Sequence, residues 1–309
     1  MKTRLVDPRA GLDEAAALLR SGETVAVPTE TVYGLAADAL QPSACAGIFE
    51  AKERPLSDPL IVHVADAADV DRLAEFPEPA RRLAESYWPG PLTLVLPRRS
   101  IVPDIVTSGQ ETVAIRLPSH PVFRDLIRLA RCPLAAPSAN RFGRISPTSA
   151  ADVLAELDGR IPLIVDGGPC AHGLESTIVL VDSKIHILRR GPITAEELAR
   201  FGEVTSGRAD VTTPGGLKSH YAPRTPLSIE AVPRPSPDAA LLSWSLAGEG
   251  FGAVEFLSRS QDLREAAANL YGAMRRLDQG GWKRIVAEPL PARGLGAAIM
   301  ERLEKAAAR

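Results

Sequence analysis

PLIVHV, residues 59–64, is an apolar run too short for an ordinary helix, and runs of the same kind return as TVAV (24–27), LTLVL (92–96), TVAIRL (112–117), PLAAP (133–137) and PLIVD (162–166). Between them lie stretches with a helical apolar period, which predict helices over 12–20, 43–53, 67–75, 78–87, 120–130 and 148–157. Short buried strands alternating with helices specify an α/β fold, a sheet covered by helices. STIVLVDSKIHILRR (176–190) differs: two strands flank Asp182 and Ser183, which predicts a hairpin and makes the sheet mixed. Thr194 and Glu197 form a capping box that opens the last helix of this region. TETVYGLAADA (29–39) reads as turn-rich.

Beyond residue 202 the periodicity stops. GEVTSGRADVTTPGGLKSHYAPRTP (202–226) is rich in Gly, Pro, Ser and Thr and reads as a linker, although its KSHYAP portion is polar and aromatic for a plain spacer. ALLSW (240–244), AVEFLS (253–258) and RIVAEP (284–289) then resemble strands, with helices near 260–278 and 295–307, which gives a second, smaller α/β domain.

The bulk numbers narrow the functional class. With 309 residues, 45% of them hydrophobic, the chain is long enough for two cores. Its formal charge of -2 argues against a surface whose main task is gripping a phosphate backbone. Cys45, Cys132 and Cys170 are isolated and odd in number, so neither a disulfide framework nor a paired-thiol zinc site is indicated, and a reducing cytoplasm fits. No run approaches the roughly 18 apolar residues that span a bilayer, and MKTRLVDPRAGLDEAA lacks the apolar core of a secretory signal, so a cytoplasmic location is expected.

Several catalytic motifs are missing. Gly216-Leu-Lys218-Ser219 lacks the spacing of a phosphate-binding P-loop, neither HExxH nor GxSxG occurs, and Gly294-Leu-Gly296 reads as helix-entry chemistry. What remains is a set of polar residues at the ends of apolar strands: Thr29, Glu30 and Thr31 after TVAV, His63 in PLIVHV and Arg116 in TVAIRL. In open α/β sheets such ends face the ligand crevice. Arg116 needs an anionic partner if buried, either a ligand or a structural carboxylate. Lys52 and Arg54 close a helix before a proline; both can aim at one polyanion in its unwinding turn, or they form an ordinary solvated basic end whose substitution leaves the fold intact. Ser138, Asn140, Arg144 and Ser146 lie on a turn-rich segment (133–148) that is either a phosphate or base cradle or a simple loop.

In this order and spacing, PTETVYGLAADA (28–39), KERPLSDPLIVH (52–63), WPGPLTLVL (88–96), VAIRLPSHP (113–121), APSANRFGRISPT (136–148) and GLESTIVL (173–180) resemble the YrdC-like threonylcarbamoyl-AMP synthase family. GGLKSHYAPRTP (215–226) and RGLGAAIMERLEKAA (293–307) resemble its long two-domain form. Asp58 stands where Asn is common. The resemblance implies a YrdC-like catalytic domain with a mixed, twisted sheet over 1–203, an interdomain linker and lid over 204–226, and a Rossmann-like α/β domain over 227–309. It implies that L-threonine, bicarbonate or CO2, and ATP give threonylcarbamoyl-AMP and pyrophosphate, for threonylcarbamoyladenosine in tRNA.

By the same resemblance, Lys52 and Arg54 are catalytic, and Thr31, His63, Arg116, Ala136 and Ser176 form a threonine pocket. Arg54, Asp58, Thr112, Ser138, Asn140, Ser146, Arg189 and Tyr221 hold the nucleotide, with Tyr221 closing as a lid. Magnesium is expected on the triphosphate and not in a protein cage. A downstream threonylcarbamoyl transferase complex is the implied partner, tRNA contact being weak or indirect. The alternatives are an RNA-binding domain without chemistry and a carbamoyl-transfer, YciO-like relative.

Overall fold

A computed structural model describes residues 2–207, 211–214 and 220–308; GGLKS (215–219) of the predicted linker, with Lys218 and Ser219, lies outside them. Strands β1 (Arg4–Val6), β2 (Val25–Val27), β3 (Gly34–Asp38), β4 (Ile61–His63), β5 (Leu92–Pro97), β6 (Thr112–Arg116), β7 (Leu134–Ala135), β8 (Leu163–Val165), β9 (Thr177–Val181), β10 (Ile185–Arg189) and β11 (Val204–Ser206) form one sheet in the order 1-8-2-3-7-4-6-5-9-10-11. Parallel and antiparallel neighbours are interleaved, so the sheet is mixed, as the hairpin at Asp182 and Ser183 requires. The turn-rich expectation for 29–39 holds only in part. Gly34–Asp38 is a strand between β2 and β7, because its small apolar residues alternate across the sheet and both of its edges find partners.

Helices cover both faces. On one, α2 (Pro42–Lys52), α4 (Glu78–Tyr87) and α7 (Ala150–Leu157) bury Ile48, Phe49, Leu83, Val153 and Leu157. On the other, α1 (Pro8–Arg20) and α6 (Pro121–Ala130) bury Leu19, Phe123, Leu126 and Ile127. α1 starts where predicted chemistry allows, with the Asp7 side chain accepting from Arg9 N and proline in the first turn. The helix expected at 67–75 is only a 3₁₀ turn, Ala67–Asp69, followed by one helical turn α3 (Val70–Leu73). α5 (Asp104–Thr107) and α8 (Ala195–Leu198) are equally short, and the capping box of Thr194 with Glu197 is formed.

A second sheet of β12 (Leu227–Ile229), β13 (Ala239–Ser243), β14 (Ala253–Phe256) and β15 (Arg284–Ala287), in the order 12-15-13-14, is parallel throughout. It is covered by α9 (Leu263–Asp278) and α10 (Leu295–Ala307), and Gly294 caps α10 with φ 54°. Its core takes in Val32, Ile145, Leu174 and Tyr221 from the chain before β12, so the second domain packs against connecting segments of the first. No helix among the described residues is long and apolar enough to cross a membrane.

Candidate functional site

The pocket lies at the strand ends, over the parallel pair β4 and β6, whose register sets His63 directly beside Arg116. Its cavity volume is about 40 Å³. Its wall brings together Thr31, Arg54, His63, Arg116, Ala136, Ser138, Ser176, Arg189 and Tyr221 from the sequence-derived set. Thr29, Glu175, Pro214 and His220 join them.

Arg116 is buried and meets a carboxylate of the protein itself: its Nη2 lies 2.6 Å from Glu30 Oε1. Its Nη1 donates to Thr31 Oγ1 at 3.0 Å and its Nε to Gly90 O at 3.2 Å. Burial alone would raise the Glu30 carboxyl, but the Arg116 charge outweighs it and holds the group at about 2. Burial, reinforced by Arg116, pushes His63 down to about 3, so its imidazole is neutral at pH 7. The structural-carboxylate reading of Arg116 thus holds: Glu30 balances its charge, and Nε and Nη1 are hydrogen-bonded to Gly90 O and Thr31.

Also on the pocket wall, Arg189 donates through Nε and Nη2 to Ser176 O, and through Nη2 to Ser176 Oγ at 3.0 Å. The hydroxyl of Ser176 also pairs with that of Thr93, 2.7 Å away, which pins it in place. Arg54 ion-pairs with Asp58 Oδ2 at 3.0 Å and donates to the carbonyls of Asp58 and Pro59. Tyr221 is buried with its hydroxyl unpaired among the described residues, its ring 4.1 Å from that of His220 and 5.8 Å from that of Tyr271.

Lys52, Asp58, Thr112, Asn140 and Ser146 are not on the pocket wall. The solvated basic helix end expected at Lys52 and Arg54 is corrected: both side chains are buried. The reason is hydrogen bonding. Lys52 Nζ donates to the carbonyls of Ser138 and Asn140, and Phe142 N returns a bond to Lys52 O, so the helix end is stitched to the 138–142 segment. Burial, with the Arg54 charge, drives the Lys52 ammonium pKa well below its ordinary value. Asn140 ties the same segment internally by donating to Arg141 O and Arg144 O. Thr112 stands at the far end of β6, where Gln110 bonds Thr212 of the linker. Ser146 donates to Glu175 Oε1 at 2.6 Å.

Sequence reasoning passed over Glu175, His220, Tyr271 and Arg302. Glu175 was visible as a carboxylate directly before Ser176 at the entry to an apolar strand. Arg302 falls on the apolar face of its helix beside Ile299, Leu303 and Ala306, a placement that demands a buried anion.

Fold and pocket together define an α/β protein with an arginine-lined cleft at its strand ends, joined to a small parallel α/β domain. The family described as "Telomere recombination", that of Sua5, YciO and YrdC, matches residues 17–191, and the "Threonylcarbamoyl-AMP synthase, C-terminal domain" matches residues 193–308. The threonylcarbamoyl-AMP synthase of Pyrococcus abyssi is 39% identical, over 98% of this chain and 97% of its own. That of Bacillus subtilis is 42% identical, over 97% and 93%. The crystal structure of P. abyssi Sua5 complexed with L-threonine superposes with a TM-score of 0.90 at 36% identity, covering 99% of this chain and 98% of that one. The chain belongs to the threonylcarbamoyl-AMP synthase family, in its two-domain form.

Proposed function

We propose that the chain joins L-threonine, bicarbonate or CO2, and ATP into threonylcarbamoyl-AMP, releasing pyrophosphate, for threonylcarbamoyladenosine beside the tRNA anticodon. One observation carries this most: a single pocket is lined by Thr31, His63, Arg116 and Ser176 together with Arg54 and Arg189. The first group suits an amino acid's carboxylate and hydroxyl, the second a phosphate chain.

In this proposal Arg116 receives the threonine carboxylate, and Thr31, His63, Ala136 and Ser176 surround the side chain. The threonine amine takes up CO2 with loss of a proton. One oxygen of the resulting carbamate attacks the α-phosphorus of ATP, and the bond to the β-phosphate oxygen breaks as pyrophosphate departs. No protein nucleophile is needed, so the residues contribute position and charge. Arg54 and Arg189 face the phosphates, while Asp58 orients Arg54 and Lys52 fixes the Ser138 and Asn140 backbone. Thr112, Ser146 and Tyr221 are assigned to the nucleotide. The 204–226 segment is proposed as the lid between catalytic and second domains, with Tyr221 as its inner face.

Magnesium is proposed to arrive on ATP as part of the substrate. Glu175 on the pocket wall and Glu30 behind Arg116 are matched to Arg302 and Arg116 and so are poor ligands for it, and no metal-holding group of three acidic, His or Cys side chains occurs among the described residues. A cytoplasmic location and hand-over to a threonylcarbamoyl transferase complex, with tRNA contacted weakly or indirectly, complete the proposal.

Mass spectrometry of a reaction containing ATP, bicarbonate and threonine tests it. The expected product is threonylcarbamoyl-AMP, dependent on all three. ATP turnover indifferent to threonine would reject the assignment, and RNA retention without turnover would favour a binding domain.

A further inference from the structure

Glu175 is buried where α9 and α10 pack on the chain before β12, and its carboxylate collects donors from both sides. From the large sheet's side, Ser146 Oγ donates to Oε1. From the second domain, Tyr271 Oη on α9 lies 3.1 and 3.0 Å from the two oxygens, and Arg302 Nε on α10 donates to Oε2 at 2.8 Å. Burial alone would raise the Glu175 carboxyl; Arg302 and Arg189 outweigh it and hold the group at about 2, an anion throughout the working pH range.

The two second-domain residues also grip the wall around Glu175. Arg302 Nη2 donates to Arg190 O at 2.8 Å, next to pocket-lining Arg189, and its guanidinium carbon lies 5.1 Å from the centre of the Tyr221 ring. Tyr271 stacks on Tyr221 at 5.8 Å with the rings 25° apart. The loop leading into Glu175 has no slack: Gly173 has φ +67°, and a Cβ there would stand 2.5 Å from Ala267 O on α9.

We propose that the second domain acts on the nucleotide side of the pocket through Glu175, with Tyr271 and Arg302 as positioning residues. They touch neither reacting atom. They fix the Glu175 carboxylate, and with it Ser146, the Arg189–Arg190 backbone and the Tyr221 ring. The proposal takes the synthase reading's assignment of this side of the pocket to ATP.

Tyr271→Phe keeps the ring and removes only the donor to Glu175, and Arg302→Lys keeps the charge but loses the fork. Calorimetric titration of each full-length variant with ATP, and separately with L-threonine, decides the matter. The expected result is an ATP Kd raised about 10-fold, the scale of a lost hydrogen bond to a charged group, with threonine Kd within twofold. An ATP Kd within twofold of wild type in Tyr271→Phe would overturn the proposal, as would equal weakening of both ligands, which marks a seam that merely holds the domains together. Should Arg302→Lys fail to fold, Tyr271→Phe decides alone. A wild-type protein that binds ATP yet makes no threonine-dependent product would reject the synthase reading, while the ATP titrations would still judge this one.

Discussion

Arg116 and Glu30 form a buried ion pair, Nη2 to Oε1 at 2.6 Å, at the strand end where Arg116 also touches Thr31. The pair keeps a guanidinium charged inside an apolar sheet before any ligand arrives. Glu30→Gln should therefore cost about 3–5 kcal/mol of stability, the usual penalty for stranding one member of a buried pair. Chemical denaturation measures it. Added L-threonine should recover part of the loss, since its carboxylate supplies the missing counter-charge; no recovery would argue against a carboxylate at Arg116.

Lys52→Ala should fail in two ways at once. Its ammonium holds the Ser138 and Asn140 carbonyls, so truncation leaves buried acceptors unsatisfied, worth about 1–3 kcal/mol in a thermal melt. Pyrophosphate release should fall by roughly 100-fold as the 138–142 segment loosens. A stable variant with wild-type turnover would reject both roles.

Tyr221→Phe and Tyr221→Ala should separate packing from recognition. The ring packs against His220, Tyr271 and Arg302, so Tyr221→Ala should lose about 3–5 kcal/mol. Tyr221→Phe removes a hydroxyl with no partner among the described residues, so stability should hold while ATP retention weakens. Unchanged ATP affinity in Tyr221→Phe would show the hydroxyl to be idle.

Stability should decline on mild acidification. His63 and His220 are both held near 3 by burial, against about 6.5 when unfolded. Below pH 6.5 the unfolded chain thus takes up protons that the native chain refuses, which favours unfolding. Glu30 and Glu175, each at about 2, extend the loss below the ordinary carboxylate value of 4.5. Unfolding free energy should be flat from pH 7 to 8 and fall by up to about 3 kcal/mol per unit near pH 5. Replacing His63 by Asn should remove about half of that slope.

Selectivity tests the small end of the pocket. Losing a methyl contact is worth roughly 1–3 kcal/mol, whereas leaving a buried hydroxyl partner unpaired can reject an analogue by about 10⁴. Serine should be a poor but measurable substrate and valine nearly inert. Equal use of both would mean that neither Thr31 nor Ser176 reads the hydroxyl.

The sheet was legible because apolar runs bounded by turn residues leave little choice of element, and the hairpin at Asp182 follows from its own turn. Gly34–Asp38 was not, since a strand of glycine and alanines shows no propensity and is made by its neighbours β2 and β7. His63 and Arg116 could be picked out as polar residues in apolar strands. The partnership of Lys52 with two carbonyls 86 and 88 residues away could not, because no local pattern encodes it. The same holds for Tyr221: a Gly- and Pro-rich surrounding reads as a spacer, and only tertiary packing draws this ring into the second core.

The pocket wall is drawn from segments as distant in the chain as Thr31, Arg116, Ser176 and Tyr221. Such a site has a folding consequence. No short fragment contains it, and each wall must wait for strand pairings that close long loops, so it completes only when the whole sheet has formed. Partly folded chains should then carry no ATP-binding surface of this kind, and ligand should bind the native state alone. At 100 times its Kd a ligand that discriminates in this way deepens the native well by about 2.7 kcal/mol. Cellular ATP and threonine would then act on this chain as folding effectors, drawing newly made molecules toward the finished state.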